Sequence, residues 1–207
     1  MPLLDSADPR KEPIHFMGIA GAGMSALAEL FQRRGVAVTG CDQNPDGASD
    51  LVTLGIRVSK GHDESHVEGQ RALIVSSAIP KDHPEVQRAR ALGIPVVRRA
   101  EALAEATSGG ALIGVAGTHG KSTTTVMTTE ALAAAGLAPT GVVGARVTSW
   151  GGNLSRGDHA IFVVEADEYD RSFLALTPTV AVVTNVEADH LDIYRDLQDI
   201  HDTFSTF

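Results

Sequence analysis

The sequence has few aromatic residues, a single cysteine and no long apolar run. Because Cys41 has no partner in the sequence, an internal disulfide is excluded, which fits a reducing compartment. No stretch reaches the roughly 18 apolar residues of a membrane span, and residues 1–13 lack the apolar core of a signal peptide. The sequence therefore predicts a cytoplasmic protein.

Basic residues are also in deficit, with 17 Lys and Arg against 26 Asp and Glu and a formal net charge of −9. Since no broad basic surface can neutralise a phosphate backbone, a nucleic-acid partner is disfavoured, and any bound phosphate must be held locally. The hydrophobic fraction of 43% is that of an ordinary globular protein, and 207 residues can form one large domain or two small ones.

Short apolar runs alternate with helical patterns, which is typical of βαβ units on a parallel sheet. In the first half, strands are predicted at 14–18, 37–42, 72–77 and 94–97, and helices at 24–34 and 83–93. In the second half, strands are predicted at 111–116, 161–164 and 180–184, and a helix from Ser122 to about Ala135. The small polar break at 107–110 suits a linker, so the expected domains are 1–107 and 108–207. The helical pattern at 199–207 has no stop signal, so we expect the second domain to be incomplete.

A glycine turn with the sequence GTHGKST follows the predicted strand 111–116. Such a turn directs backbone N–H groups at phosphate oxygens, Lys121 can add a positive charge, and the Ser122 hydroxyl can ligate magnesium. Val115 stands where a strict Walker A motif has glycine. The alternative is a glycine-rich turn whose lysine lies on the surface. We predict a nucleotide phosphate site at Gly117, Thr118, His119, Gly120, Lys121, Ser122 and Thr123.

Polar side chains follow the two later strands. Glu165 ends the buried run 161–164, at the edge where parallel sheets place their ligands, and a carboxylate there suits Mg²⁺. His190 lies just past the run 180–184, flanked by carboxylates that can orient its ring. The other seven histidines are interpreted as structural. Asp167, Glu168 and Asp170 are interpreted as a solvated acidic turn.

A second glycine loop, with Gly18, Gly21 and Gly23, lies between the first strand and its helix. It approximates the dinucleotide fingerprint, with Ala20 in place of the second glycine, and Asp42 follows 24 residues after Gly18, where such folds bind a ribose hydroxyl. Two interpretations stay open: a dinucleotide for hydride transfer, or the diphosphate of another nucleotide-linked ligand.

Four segments in this order, GIAGAGMSALAEL, GTHGKSTTT, EADEYDRSFL and TNVEADHLDIY, closely resemble the Mur ligase family, and in particular its alanine-adding branch. The departures are mild: Ala20 replaces a glycine and Ser122 replaces the commoner threonine. The resemblance implies an α/β fold, in which a Rossmann-like UDP-binding domain precedes an incomplete P-loop α/β ATPase domain with a parallel sheet.

The resemblance further implies an ATP-dependent ligase that activates the lactyl carboxylate of UDP-N-acetylmuramate as an acyl phosphate, which the amine of L-alanine then displaces. Lys121 would stabilise charge on the transferred phosphoryl group, so that Lys121, Glu165 and His190 are the catalytic candidates. Ser122, Glu165 and His190 would serve Mg²⁺. The UDP-sugar would contact Gly18, Ala20, Gly21, Gly23, Met24, Ser25, Asp42, Ser76 and Ser77.

Three alternatives stay open at this point. One is a related ligase that attaches a tripeptide to the same UDP-sugar, and another is a nucleotide- or UDP-sugar-binding module without ligase activity. The third, an NAD-dependent dehydrogenase, rests on the first glycine loop alone. Members of the family carry a third domain that supplies the amino-acid site, so we expect these 207 residues alone to be inactive.

Overall fold

The computed structural model of the protein describes Leu3 and residues 12–207. The chain divides into two compact units, with the boundary between Ala106 and Thr107. Both units are α/β, which confirms the predicted fold class. No helix in the described part of the chain is long and apolar enough to cross a membrane.

The first unit is a five-stranded parallel sheet with the order β3-β2-β1-β4-β5. The central strands β1 and β4 are buried along their whole length, because continuous apolar runs suit strands that are covered on both faces. The strands are β1 (Ile14–Met17), β2 (Val38–Asp42), β3 (Arg57–Lys60), β4 (Ala72–Val75) and β5 (Val96–Arg98). The helices are α1 (Ala22–Arg33), α2 (Ser49–Thr53), α3 (Pro84–Ala91) and α4 (Arg99–Thr107).

The strand order reverses between β1 and β4, because the chain builds β2 and β3 on one side of β1 before it crosses to the other side. A crevice for ligands is expected at such a point, beyond the carboxyl ends of the strands. The loop after β1 and the loop after β4 meet there: a Cβ atom on Gly18 would lie 3.8 Å from the Ser76 hydroxyl.

The second unit is a five-stranded sheet with the order β10-β6-β9-β7-β8. Four strands are parallel, as in the predicted parallel sheet, and β8 adds an edge strand that pairs antiparallel with β7, so the sheet is mixed. Gly151, at φ 70°, turns the chain into this hairpin. The strands are β6 (Ala111–Ala116), β7 (Thr140–Val147), β8 (Gly152–Ser155), β9 (Ile161–Glu165) and β10 (Val180–Val183), and the helices are α5 (Lys121–Ala134) and α6 (Leu197–Thr206).

Arg171 joins helix α6 to an earlier segment of the second unit. Arg171 donates from one nitrogen to both carboxylate oxygens of Asp199, at 2.9 and 2.8 Å, and from the other to Thr203 Oγ1 at 2.8 Å. The hydrogen bonds from Arg171 to the carboxylate, followed by one from the Arg195 N–H, lower the pKa of Asp199 from 3.8 to about 2. The folded state therefore favours the ionised carboxylate.

We expect Asp199→Asn to lower the thermal midpoint of the second unit by a few degrees near neutral pH. Because the folded pKa lies below the unfolded one, the stabilisation by Asp199 is complete above pH 3.8 and is lost as the pH falls through about 2. The variant should therefore lose less stability than the wild type over this range. Trp150, the only tryptophan, reports unfolding of the second unit by its fluorescence. Asp202→Asn, on the same helix, is the control, and an Asp199→Asn profile that parallels the wild type in acid would refute the assignment.

Candidate functional site

The glycine loop of the second unit connects the buried end of β6 to the first turn of α5. Gly117 has φ 132° and Gly120 has φ 82°, both in the region that favours glycine. The N–H groups of Lys121, Ser122 and Thr123 precede the first hydrogen bond of α5, which Thr124 N–H donates to the Gly120 carbonyl. The loop therefore presents first-turn donors at a helix N-terminus, which is a geometry suited to anions.

Residues directly after β10 hold this loop in place. The N–H of Thr118 donates to the Asn185 carbonyl at 3.0 Å, and the N–H of His119 donates to the Asn185 Oδ1 at 2.9 Å. In return, Thr184 Oγ1 donates to the His119 carbonyl at 2.6 Å, and the Glu187 N–H donates to Thr118 Oγ1 at 2.9 Å. Sequence reasoning missed the bracing role of Thr184 and Asn185.

Lys121 lies between the glycine loop and a buried carboxylate. Its Nζ donates to the carbonyls of Gly117 and Thr118 at 2.7 and 3.2 Å. It lies 2.9 Å from each oxygen of Glu168, with hydrogen-bond geometry to Oε1. Glu168 is only 3% exposed, so its interpretation as part of a solvated turn is wrong. Its charge is tolerated in the interior because an ammonium group faces it.

Ser122 and Glu165, predicted separately, come together. Ser122 Oγ donates to Glu165 Oε2 at 2.9 Å, and the N–H of Gly144 on β7 donates to the same oxygen at 2.7 Å. A hydroxyl and a carboxylate at this spacing form part of the oxygen donor set that Mg²⁺ prefers. Sequence reasoning did not identify Gly144, which belongs to a strand that it missed.

His190 lies beside Glu168. Its Nε2 is 3.7 Å from Glu168 Oε1, and its ring packs edge-on against Tyr169 with 5.2 Å between ring centroids. The buried Tyr194 donates from its hydroxyl to the Glu168 carbonyl at 2.6 Å. The backbone of His190 has φ 52°, a conformation that a side chain adopts at some cost. The predicted residues thus form two groups, Ser122 with Glu165, and Lys121 with His190, which both lie beside Glu168, a residue that was not predicted as part of the site.

The first glycine loop is held by the predicted acidic residue. Asp42 accepts hydrogen bonds from the Ala20 N–H at 3.0 Å and from the Asn44 N–H at 2.9 Å, one on each oxygen. Gly18, at φ 81°, turns the chain, and Gly21 caps the N-terminus of α1. The loop therefore lies at the carboxyl edge of the sheet with a helix N-terminus behind it, as an anion site requires.

The other predicted contacts of this unit differ in exposure. Met24 is 2% exposed and packs in the core, while the Ser25 hydroxyl donates to the Ala22 carbonyl. Ser76 is half-buried and Ser77 is exposed beyond β4. Gly23 is covered by a side chain that the sequence did not indicate: a Cβ atom there would lie 2.8 Å from a guanidinium nitrogen of Arg99. A cation thus lies next to the first turn of α1.

Both units match domains of the same protein family. Residues 13–110 match the Mur ligase family catalytic domain, and residues 115–207 match the Mur ligase middle domain. The UDP-N-acetylmuramate–L-alanine ligase of Arthrobacter sp. (strain FB24) is 48% identical over 195 residues, which are 94% of this chain and 42% of that relative. The chain thus spans less than half the length of this relative.

Two solved structures are similar over 94% of the chain. The UDP-N-acetylmuramate–alanine ligase of Thermotoga maritima has a TM-score of 0.87 and 30% identity, and the chain covers 46% of it. The UDP-N-acetylmuramate:L-alanyl-γ-D-glutamyl-meso-diaminopimelate ligase of Neisseria meningitides has a TM-score of 0.85 and 32% identity, with 67% of that chain covered. With both units matched in sequence and in fold, the chain belongs to the Mur ligase family.

Proposed function

We propose that this chain provides the UDP-sugar-binding domain, residues 1–107, and the ATP-binding domain, residues 108–207, of a ligase that joins L-alanine to UDP-N-acetylmuramate. The observation that carries the proposal is the arrangement beside the glycine loop, where Lys121 is paired with Glu168 and Ser122 with Glu165. A loop with first-turn N–H donors, an ammonium group and oxygen donors for magnesium is what binding of a nucleoside triphosphate requires.

The proposed reaction has two steps. A lactyl carboxylate oxygen of UDP-N-acetylmuramate attacks the γ-phosphorus of ATP, an O–P bond forms, and the bond to the bridging oxygen breaks as ADP leaves. The amine of L-alanine then attacks the acyl carbon. The C–N bond forms, phosphate leaves with the electron pair of the C–O bond, and the amine gives up a proton to solvent.

In the first step, charge spreads over the oxygens of the transferred phosphoryl group, so positioning and charge neutralisation dominate. We assign the ammonium of Lys121 to the phosphate oxygens, which it reaches when it leaves Glu168. We assign Ser122, Glu165 and His190 to Mg²⁺, which would supply Lewis-acid charge neutralisation when bound. The N–H groups at the start of α5 complete the phosphate site.

In the first domain, we assign the diphosphate of the UDP-sugar to the loop at Gly18–Ser25. The N-terminus of α1 and the guanidinium of Arg99 beside Gly23 favour negative charge there. Asp42 orders the loop through the Ala20 N–H and retains lone pairs for a hydroxyl of the ligand. Membership of the Mur ligase family supports this assignment over hydride transfer from a dinucleotide.

A tripeptide-adding ligase is the second candidate, because the Neisseria meningitides structure, whose name describes such an enzyme, is about as similar in fold as the alanine ligase structure. The alanine-adding function is supported by curated relatives of that name at 48–50% identity. Both candidates use the same UDP-sugar, so binding of that sugar does not separate them. Because the third domain supplies the amino-acid site, the chain is fused in turn to the remaining part of the Arthrobacter ligase and of the Neisseria ligase. Product formation with L-alanine in the first fusion only favours the alanine-adding candidate, and product formation with the tripeptide in the second fusion only favours the other.

The ATP site can be tested in the chain itself by calorimetry with a non-hydrolysable ATP analogue and Mg²⁺. We expect Ser122→Ala and Glu165→Gln each to weaken Mg²⁺-dependent binding by roughly 10- to 100-fold, because each removes an oxygen donor or its partner. Ser205→Ala and Glu130→Gln, made at exposed positions, are the matched controls. Analogue binding that persists unchanged without Mg²⁺ and in both variants would exclude the proposed magnesium site.

A polypeptide limited to residues 1–207 is expected to release no ADP in an alanine-dependent manner, since these residues span 42% of the Arthrobacter relative. UDP-N-acetylmuramate should nevertheless bind to it, and more tightly than uridine does, because the diphosphate contacts are made within the first domain. Equal affinities for UDP-N-acetylmuramate and uridine would contradict the assignment of the diphosphate to the loop at Gly18–Ser25.

A further inference from the structure

A buried group of metal-binding side chains lies in the first unit, apart from the glycine loop contacts. His15 on β1, Cys41 on β2, His66 in the short helix Glu64–Val67 and Glu85 in the first turn of α3 each offer one ligand atom. These four atoms all lie within 4.8 Å of one another. His15, Cys41 and Glu85 are at most 2% exposed, so the group is part of the interior.

Two features of the group would be satisfied by a bound cation. His15 Nδ1 is hydrogen-bonded to Thr39 Oγ1 at 2.9 Å, but its buried Nε2 has no hydrogen-bond partner within the described part of the chain. Glu85 is fully buried, and its Oε1 is shared by the Asp63 N–H and His66 Nδ1, both at 2.8 Å. An unpartnered nitrogen and a buried carboxylate are both costly.

The chemistry of the four side chains suits a divalent cation. A neutral imidazole, a thiolate and a carboxylate are the forms in which these residues bind a metal. A cation bound between Cys41 Sγ and the Glu85 carboxylate would offset the repulsion between two buried negative groups, because metal coordination deprotonates a thiol.

The donor types select the metal. Two imidazole nitrogens, one sulfur and one carboxylate oxygen are ligands that Zn²⁺ accepts, usually in a tetrahedron. Bond lengths of about 2.0–2.3 Å place tetrahedral ligands roughly 3.3–3.8 Å apart. Cys41 Sγ already lies 3.5 Å from Glu85 Oε2, whereas the hydrogen bond between His66 and Glu85 would give way to coordination.

We propose that the first unit binds one zinc ion between His15, Cys41, His66 and Glu85. His62, whose Nδ1 lies 3.2 Å from Cys41 Sγ, is the nearby residue that can hydrogen-bond the coordinated sulfur. The ion would lie close to the first glycine loop, because the Cys41 carbonyl accepts hydrogen bonds from the N–H groups of Gly18 and Ile19. Zinc binding would thus stabilise the loop, independently of the function proposed for it.

Cobalt substitution tests the site in the intact chain. Because Cys41 is the only cysteine in the sequence, a thiolate-to-cobalt charge-transfer band reports this site and no other. The chain, stripped by a chelator and titrated with Co²⁺, should develop this band to an endpoint of one equivalent, and Zn²⁺ should abolish it. Zn²⁺ should also raise the thermal midpoint of the stripped wild type.

Variants distinguish a metal site from a hydrogen-bonded network. Cys41→Ser should lose the band, and His66→Asn should weaken Co²⁺ binding at least 10-fold, while His201→Ala, in the second unit, should change neither. Circular dichroism checks that each variant is folded. A folded wild-type chain that shows no thiolate band and no Zn²⁺-dependent rise in thermal midpoint would overturn the proposal and leave the group as a hydrogen-bonded network.

Discussion

Replacement of Gly117 by alanine is expected to destabilise the second unit by about 3 kcal/mol or more and to abolish nucleotide binding. A Cβ atom at this position would lie 2.1 Å from Thr184 Oγ1 and 2.9 Å from the Asn185 carbonyl oxygen, and φ is 132°. The clash is with the segment that braces the loop, so relief of the clash must separate β10 from the loop. Trp150 fluorescence in urea measures the stability, and calorimetry with an ATP analogue measures binding.

The control for this prediction is Gly136→Ala, just past the end of α5. Gly136 also has a positive φ, of 83°, but a Cβ atom there meets nothing within 4 Å. Gly136→Ala should therefore lower the free energy of unfolding only by the conformational penalty of about 1–2 kcal/mol and leave nucleotide binding intact. If the two variants lose equal stability, backbone strain and not the contact with Thr184 explains the effect at Gly117.

The elements that the sequence predicted well are those with a local signal. Strand β6 has the predicted bounds because its apolar run is continuous and a glycine stands on either side of it. Helix α5 begins one residue before the predicted Ser122, since a glycine loop marks its start. Strand β7 escaped prediction because half of it is exposed and it contains two glycines, so it lacks both an apolar run and a clear alternation.

The site was predictable where a residue ends a strand and unpredictable where its role depends on a distant partner. Glu165 was identified by its position after a buried strand. Glu168 was wrongly predicted to be exposed to solvent, because its burial depends on pairing with Lys121, which lies 47 residues earlier in the chain. In the same way, Asn185 contacts a loop 66 residues earlier, and no local pattern encodes such a pair. Long-range pairing of polar groups is decided by tertiary structure.

The pair of Lys121 and Glu168 leads to the second prediction of large effect. Lys121→Met should cost the second unit about 3 kcal/mol, because it leaves Glu168 buried without its cation. It should also weaken binding of the ATP analogue by roughly 100-fold, since the charge that faces the phosphates is lost. Unfolding in urea, followed by Trp150 fluorescence, gives the first quantity, and calorimetry gives the second.

The double variant Lys121→Met/Glu168→Gln separates these two effects. With the carboxylate neutralised, the uncompensated charge disappears, so most of the stability should return, whereas nucleotide binding should stay weak. Recovery of both would mean that Lys121 acts only by balancing Glu168 and has no direct role at the phosphates. Recovery of neither would mean that the carbonyls of Gly117 and Thr118, to which Lys121 also donates, are its essential partners. We expect the double variant to regain stability but not nucleotide binding. This outcome would show that the ammonium group of Lys121 pairs with Glu168 in the free protein and contacts the phosphates in the nucleotide complex.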